Sequence, residues 1–296
     1  MVNLAFLLLV NARWAILLRS LGWRVPLSKL ILYRLVGFSV SYSTPGPQFG
    51  GEPVQVHLLH QQEGVPLTTA VSSVLLDRLV DLLANFTFLF IGSLVVLMGG
   101  LFAGWQASIM WLLAFILFLL PVLHLLALGQ ERRPLTWLIR RVNSHRPILA
   151  RLQRLVCQTE AQISGLVRTN PAVLAGMIGL SVLAWGVAIF EFWLSLRFLG
   201  VAAGAVETIS AVTAARLAFL LPLPGGLGAL EASQSLAAQL LGWGPAVGLA
   251  LSLMIRARDV ILALIGFGLG GFVYRSLLFR GSAEKEGPEP VYRPEN

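Results

Sequence analysis

Two stretches of this chain carry one set of charged residues at nearly one spacing. Glu52 is followed by Arg78 and Asp81, and Glu231 is followed by Arg256 and Asp259. A Pro-Gly pair stands at the same distance before each glutamate, Pro45-Gly46 and Pro224-Gly225, in the pattern PG-x5-E. Each Arg-x-x-Asp lies in the middle of a long apolar segment, where a charge costs about 2.5–3.5 kcal/mol on insertion scales. The i,i+3 spacing puts each Arg and Asp on one helix face, so the expectation is Arg78 with Asp81 and Arg256 with Asp259. The glutamates are expected to pair across to the arginines. Carboxylates in that setting bind a cationic or hydroxylated group or carry a proton, and arginines suit phosphate oxygens. The competing reading is a structural ion-pair network that also takes in Asp77 and Arg258.

Other chemistries find little support. The chain has a single cysteine, Cys157, and neither CxxC nor HExxH. His57 and His60 are i,i+3 neighbours without a partner cluster, so no metal and no cofactor are expected. Gly266, Gly268, Gly270 and Gly271 follow no strand, which argues for close helix packing and against a dinucleotide loop.

These charges must be positioned by membrane segments. Of 296 residues, 56% are hydrophobic and only 12% charged, with a mean hydropathy of +0.78; soluble domains carry about 25% charged residues. The fold class expected is all-α: a polytopic integral membrane protein. The net charge of +8 reflects basic residues between apolar runs, which is the positive-inside pattern and not a nucleic-acid signal.

Apolar runs are expected as helices at Val2 to Leu18, Leu30 to Tyr42, Pro66 to Met98, Ala107 to Leu128, Pro171 to Phe190, Ala205 to Leu221 and Pro245 to Val273, with shorter pieces at Val54 to Gln62 and Ala229 to Leu241. Arg19, Arg24, Lys29 and Arg34 place the first connection in the cytoplasm. Residues 129–170, with Arg132, Arg133, Arg140, Arg141, Arg146, Arg151, Arg154 and Arg168, form the main cytoplasmic loop. Within it Ile148 to Leu166 is amphipathic and is expected on the membrane surface. Trp14, Trp23, Trp105, Trp111, Trp137 and Trp243 read as interfacial belt, and Glu191 as an exposed or paired charge near the outer interface.

Counting crossings between the basic loops leaves Leu30 to Gln62 starting and ending inside, and Ala205 to Leu241 starting and ending outside. Both become re-entrant hairpins, one from each face. Pro ends a helix and Gly takes unusual dihedrals. The breaks are Pro45, Gly46, Gly50 and Gly51 in the first hairpin, and Pro222, Pro224, Gly225, Gly226 and Gly228 in the second. Broken backbone at membrane depth is tolerated where it is buried in protein or lines a wet cavity. The expected organisation is one transmembrane domain over residues 1–280, with inverted repeats at about 28–100 and 205–274, and a disordered cytoplasmic tail over 281–296. Interrupted helices in inverted repeats are an architecture of secondary transporters.

The motifs GGEP at 50–53, DRLVD at 77–81, PGGLGALE at 224–231 and RARD at 256–259 resemble the lysylphosphatidylglycerol synthetase transmembrane family, also described as a flippase-like domain family. The resemblance covers about Asn11 to Tyr274. It implies a bacterial inner (plasma) membrane protein that moves a lipid, or supports its movement, between leaflets. The aminoacyl-transferase domain that follows in the synthetase is not matched here, so lysyl transfer is not carried over. Family members have one more helix before the part matching Leu7 to Leu18, so an N-terminal helix is expected to be missing.

The resulting expectation is a flippase-like transporter, not an enzyme. It would act on a phospholipid, glycolipid or polyprenyl-linked lipid, bound by Glu52, Arg78, Asp81, Glu231, Arg256 and Asp259, with Arg216 on a lipid phosphate. Its partners would be the lipid substrate, the bilayer and lipid-biosynthesis enzymes, with no nucleic acid. A non-transporting scaffold of a lipid or cell-envelope biosynthesis complex is the alternative, followed by an intramembrane transferase.

Overall fold

The computed structural model describes residues 2–44, 50–98, 105–130, 132–140 and 147–285, and within them finds helices and no strand. The helices are α1 (Val2–Ser20), α2 (Leu27–Ser43), α3 (Glu52–Glu63), α4 (Leu67–Met98), α5 (Trp105–Gly129), α6 (Pro134–Arg140), α7 (Pro147–Thr169), α8 (Pro171–Phe198), α9 (Ala205–Ala218), α10 (Ala229–Leu240) and α11 (Pro245–Lys285). A 3-10 turn at Pro224–Gly226 separates α9 from α10.

Val2–Ser20, Leu67–Met98, Trp111–Gly129 and Pro171–Phe198 are long and apolar enough to cross a membrane. Their outward side chains are the kind lipid requires: Leu120, Leu126 and Leu183 are more than half exposed. This is an integral membrane protein. Helices α9 and α10, with 14 and 12 residues, reach only about 21 and 18 Å at 1.5 Å per residue. Neither spans a hydrocarbon core of about 30 Å alone.

Local chemistry explains where the short elements stop. Pro53 sits in the first turn of α3, and Gly64 closes that helix in the left-handed conformation. Gly225, Gly226 and Gly228 all have positive φ between α9 and α10, which only glycine accepts cheaply. Pro45 and Gly46 lie outside the described residues.

The packing runs in parallel through two halves. In the first, α1 packs on α2, α2 on α3, α3 on α4, and α1 on α4; in the second, α8 packs on α9, α9 on α10, α10 on α11, and α8 on α11. The halves interlock reciprocally, α2 against α11 and α9 against α4, with α1 against α8. Glycines make the crossings close. A Cβ on Gly266 would stand 2.2 Å from the Leu35 carbonyl oxygen, and one on Gly92 would stand 2.2 Å from Thr213 Oγ1. Gly270 also meets α2, at Val36, whereas Gly268 and Gly271 touch nothing. Each half has a core: Trp14, Leu30, Leu59 and Val74 in one, Leu196, Val212, Leu230 and Leu251 in the other. A third core joins α1, α4, α5, α7 and α8 around Leu76, Leu128, Leu166 and Met177.

Several expectations change. Helix α7 packs into the bundle, burying Ile163 and Leu166, with Glu160 accepting from the amides of Leu135 and Thr136 and Gln162 bonded to Thr69 and Ser72. Its apolar stripe packs in part on α4 and α5, with Leu152 left exposed. Trp14 is fully buried with its indole donating to Ser73, so it is core and not belt. Helix α8 continues past Phe190 to Phe198 and carries Glu191 and Arg197 within it. Helix α11 continues to Lys285, into residues expected to form the tail; residues 286–296 lie outside the described set.

Candidate functional site

The two glutamates after the breaks are held in the same way. Glu52 is in the first turn of α3 and Glu231 in the first turn of α10. One oxygen of each accepts from the backbone amide of a positive-φ glycine, Gly50 N at 2.8 Å for Glu52 and Gly228 N at 2.9 Å for Glu231. The amides at a helix start are unpaired donors, and a carboxylate satisfies them and the helix dipole together. The other oxygen meets an arginine on the following long helix. Arg78 Nε lies 3.3 Å from Glu52, and Arg256 Nε donates to Glu231 at 2.6 Å. The expected cross-pairing of glutamate and arginine is present in both halves.

Other parts of the site also close around the breaks. Arg256 Nη1 reaches the Gly225 carbonyl at 3.4 Å. A Cβ on Gly225 would stand 2.8 Å from the Tyr42 ring, so the end of α2 abuts the second break. Between α2 and α3 the Gly51 amide donates to Ser41 Oγ at 2.8 Å, and a Cβ on Gly51 would fall 1.9 Å from the Gly37 carbonyl oxygen. There α2 and the start of α3 touch backbone to backbone.

The aspartates differ between halves. Asp81 pairs with Arg78 at 3.1 Å, as the i,i+3 spacing predicts. Asp259 does not pair with Arg256: its partner is Arg258, at 2.9 Å. Arg256 pairs with Glu231, while Arg258, whose counterpart 178 residues earlier is Val80, pairs with the adjacent aspartate and with Glu191 of α8, the latter also at 2.9 Å. Glu191 is therefore a paired residue, bonded as well by Asn3 of α1 at 2.7 Å.

A cluster outside the expected site balances this one. Arg13 of α1 is 1% exposed, yet it donates to Asp77 at 2.8 Å and to Ser181 at 2.8 Å, with Asp81 at 3.5 Å. Arg34 donates to the other Asp77 oxygen at 2.7 Å, to Asn11, and lies over the Trp14 ring. Arg34 is thus a helix residue engaged with the core and not a loop charge. Asn11 and Arg13, which interrupt the apolar run of α1, were the available signals. Arg13 and Glu191 stand 178 residues apart, as do Arg78 and Arg256, and Asp81 and Asp259. The α1–α4 ion pair of one half is matched by an α8–α11 pair of the other with the charges exchanged.

Arg216 of α9 is the exception. Among the described residues it has no carboxylate within ion-pair distance. Its guanidinium instead lies 4.7 Å from the centre of the Trp185 ring, and Trp185 stacks on Phe88 at 4.2 Å. A cation stacked on an aromatic ring, with no ion pair among the described residues, is suited to an anion. No group of three or more His, Cys, Asp or Glu placed to hold a metal is found among the described residues.

The comparisons with known proteins agree with the membrane architecture. A UPF0104 membrane protein of Methanothermobacter thermautotrophicus is 24% identical over 265 residues, covering 84% of this chain and 76% of that protein. A UPF0104 membrane protein of Methanocaldococcus jannaschii is 31% identical over 103 residues, covering 32% of this chain and 31% of that protein. No solved structure matches. Residues 1–266 match the family described as the lysylphosphatidylglycerol synthase TM region, and this chain belongs to that family.

Proposed function

We propose that this chain is a flippase-like transporter that moves an anionic or glycosylated lipid between the leaflets of the cell (inner) membrane. Helix pairs α2–α3 and α9–α10 are read as re-entrant hairpins of an inverted repeat. Their broken tips bound a polar cleft in which the headgroup crosses while the acyl chains stay in lipid. Arg216 attracts the phosphate. Glu52 and Glu231 sit at the tips, each about a quarter exposed, and bind a hydroxylated or cationic headgroup or exchange a proton. Alternating access then rocks one half against the other. The reading treats the chain as a transporter and not an enzyme.

The observation that carries this reading is the twofold construction of the tips: a carboxylate bridging a glycine amide and an arginine, once in each half, with Tyr42 against Gly225 between them. The reciprocal packing of α2 on α11 and α9 on α4 supports two equivalent units, and the family's description ties such membrane regions to a lipid. The scaffold reading also has an observation in its favour: apart from Arg216, the arginines of the two clusters are already matched by carboxylates.

The deciding experiment reconstitutes the protein in liposomes and follows dithionite bleaching of fluorescent phospholipids and glycolipids, with and without a proton gradient. Wild-type protein is expected to expose inner-leaflet probe, while the Glu52→Gln/Glu231→Gln variant, equally incorporated, does not. Equal rates for the two proteins across the lipids and both gradient conditions overturn transport through this cleft and leave the scaffold.

A further inference from the structure

The two limbs of the second helix pair are joined by Gln234 Nε2, which donates to the Ala211 carbonyl at 2.9 Å, but part along one face. Ser210, Thr213 and Leu217 of α9 face Ser233, Ala237 and Leu240 of α10 across a cavity of about 150 Å³, with Val96 of α4 at its end. The residues recur at i, i+3 or i+4 and i+7, so one face of each helix lines the gap. The hydroxyls do not make it polar. Ser210 donates to the Val206 carbonyl at 2.8 Å, Thr213 to Ile209 at 2.8 Å, and Ser233 to Leu230 at 3.0 Å. What the walls present is methyl and methylene surface.

We infer that this slot binds one hydrocarbon chain of a bilayer phospholipid. A cavity of this size with aliphatic walls stays dry and takes up apolar ligands. The slot runs into the outer surface of the helix pair, where Leu236 is 53% and Leu240 42% exposed. In a membrane-embedded hairpin that surface faces lipid, so the apolar ligand at hand is an acyl chain. Arg216, next to Leu217 in sequence, points away from the slot to Trp185 of α8, so the slot itself selects the chain and not the headgroup. This inference rests on the reading of α9 and α10 as embedded in the membrane.

The test uses the full-length protein in nanodiscs containing phosphatidylglycerol with a diazirine in one acyl chain. Adducts are mapped by mass spectrometry after illumination. Adducts concentrated on α9 and α10 are expected. They should be lost in Ala237→Phe and reduced in Ala214→Leu, the latter another wall residue on α9, with melting temperatures near wild type showing that both variants fold. Adducts spread evenly over α5, α8 and α10, or unchanged by both substitutions, overturn the slot. So does absence of label together with a doubled particle mass, which would make the face a contact between copies. The wild-type protein separates the two proposals. Slot labelling without transport of any lipid removes the transporter and keeps the chain site; transport without slot labelling does the reverse.

Discussion

Arg13 is the residue on which the first half turns. Its guanidinium is buried to 1% exposure and divided among Asp77, Ser181 and Asp81. Removing one partner of a buried ion pair strands the other and costs about 3–5 kcal/mol. Arg13→Met is expected to lose stability in denaturant unfolding of the detergent-solubilised protein, but less than that, because Arg34 still holds Asp77 at 2.7 Å. Arg13→Met combined with Asp77→Leu should recover part of it, because no buried carboxylate is then left stranded by Arg13, although Arg34 keeps only Asn11 and the Val10 carbonyl. A double variant worse than the sum of its parts would contradict this account. Arg216 predicts the opposite behaviour. It makes no ion pair to lose, so Arg216→Gln should leave unfolding within about 1 kcal/mol of wild type while weakening binding of anionic lipid, read by lipid-dependent thermal shift.

At the scale of elements, contact geometry separates glycines that the sequence makes look alike. Gly51 and Gly266 sit where a Cβ would run into a carbonyl oxygen of α2, at 1.9 and 2.2 Å. Gly51→Ala must force α3 away from α2, and Gly266→Ala must force α11 away from it. Both are expected to lower the yield of monodisperse protein in size-exclusion chromatography. Gly268, two residues from Gly266 in α11, has open space around it. Gly268→Ala should fold normally and gain about 1 kcal/mol at most from helix propensity. Equal behaviour of Gly266→Ala and Gly268→Ala would mean that α2 and α11 do not touch as described.

Over the whole molecule the two halves balance their charges separately. Arg13, Arg34 and Arg78 meet Glu52, Asp77 and Asp81; Arg256 and Arg258 meet Glu191, Glu231 and Asp259, with Arg216 as the third cation of that half, stacked on Trp185. Each half can be inserted without uncompensated charge, which at the bilayer centre is costly. The proposed inverted arrangement makes a sidedness prediction. Gln61, at the end of α3, and Gln239, at the end of α10, are exposed. In a Cys157→Ser background, Gln61→Cys should react with an impermeant maleimide only from the cytoplasmic side, and Gln239→Cys only from the outside. Reaction of both from one side would rule out oppositely oriented halves.

The sequence alone determined the class of this protein and much of its site, because those features are local. Hydropathy marks membrane helices regardless of partner, Pro and Gly end a helix wherever they stand, and the PG-x5-E and Arg-x-x-Asp spacings put Glu52 near Arg78 and Glu231 near Arg256 through one helix and one turn. What depended on distant partners was decided only by the tertiary structure. Asp259 pairs with Arg258, where the first half has Val80 and Asp81 stays with Arg78. Arg34 and Trp14 went inward because Asp77 and Ser73 were waiting there. Helix α7 turned its apolar stripe to α4 and α5. Arg13 and Glu191 acquired their meaning only when α1 packed beside α4 and α8 beside α11. An ion pair or a buried face is a property of two segments at once, and one segment's sequence does not name the other.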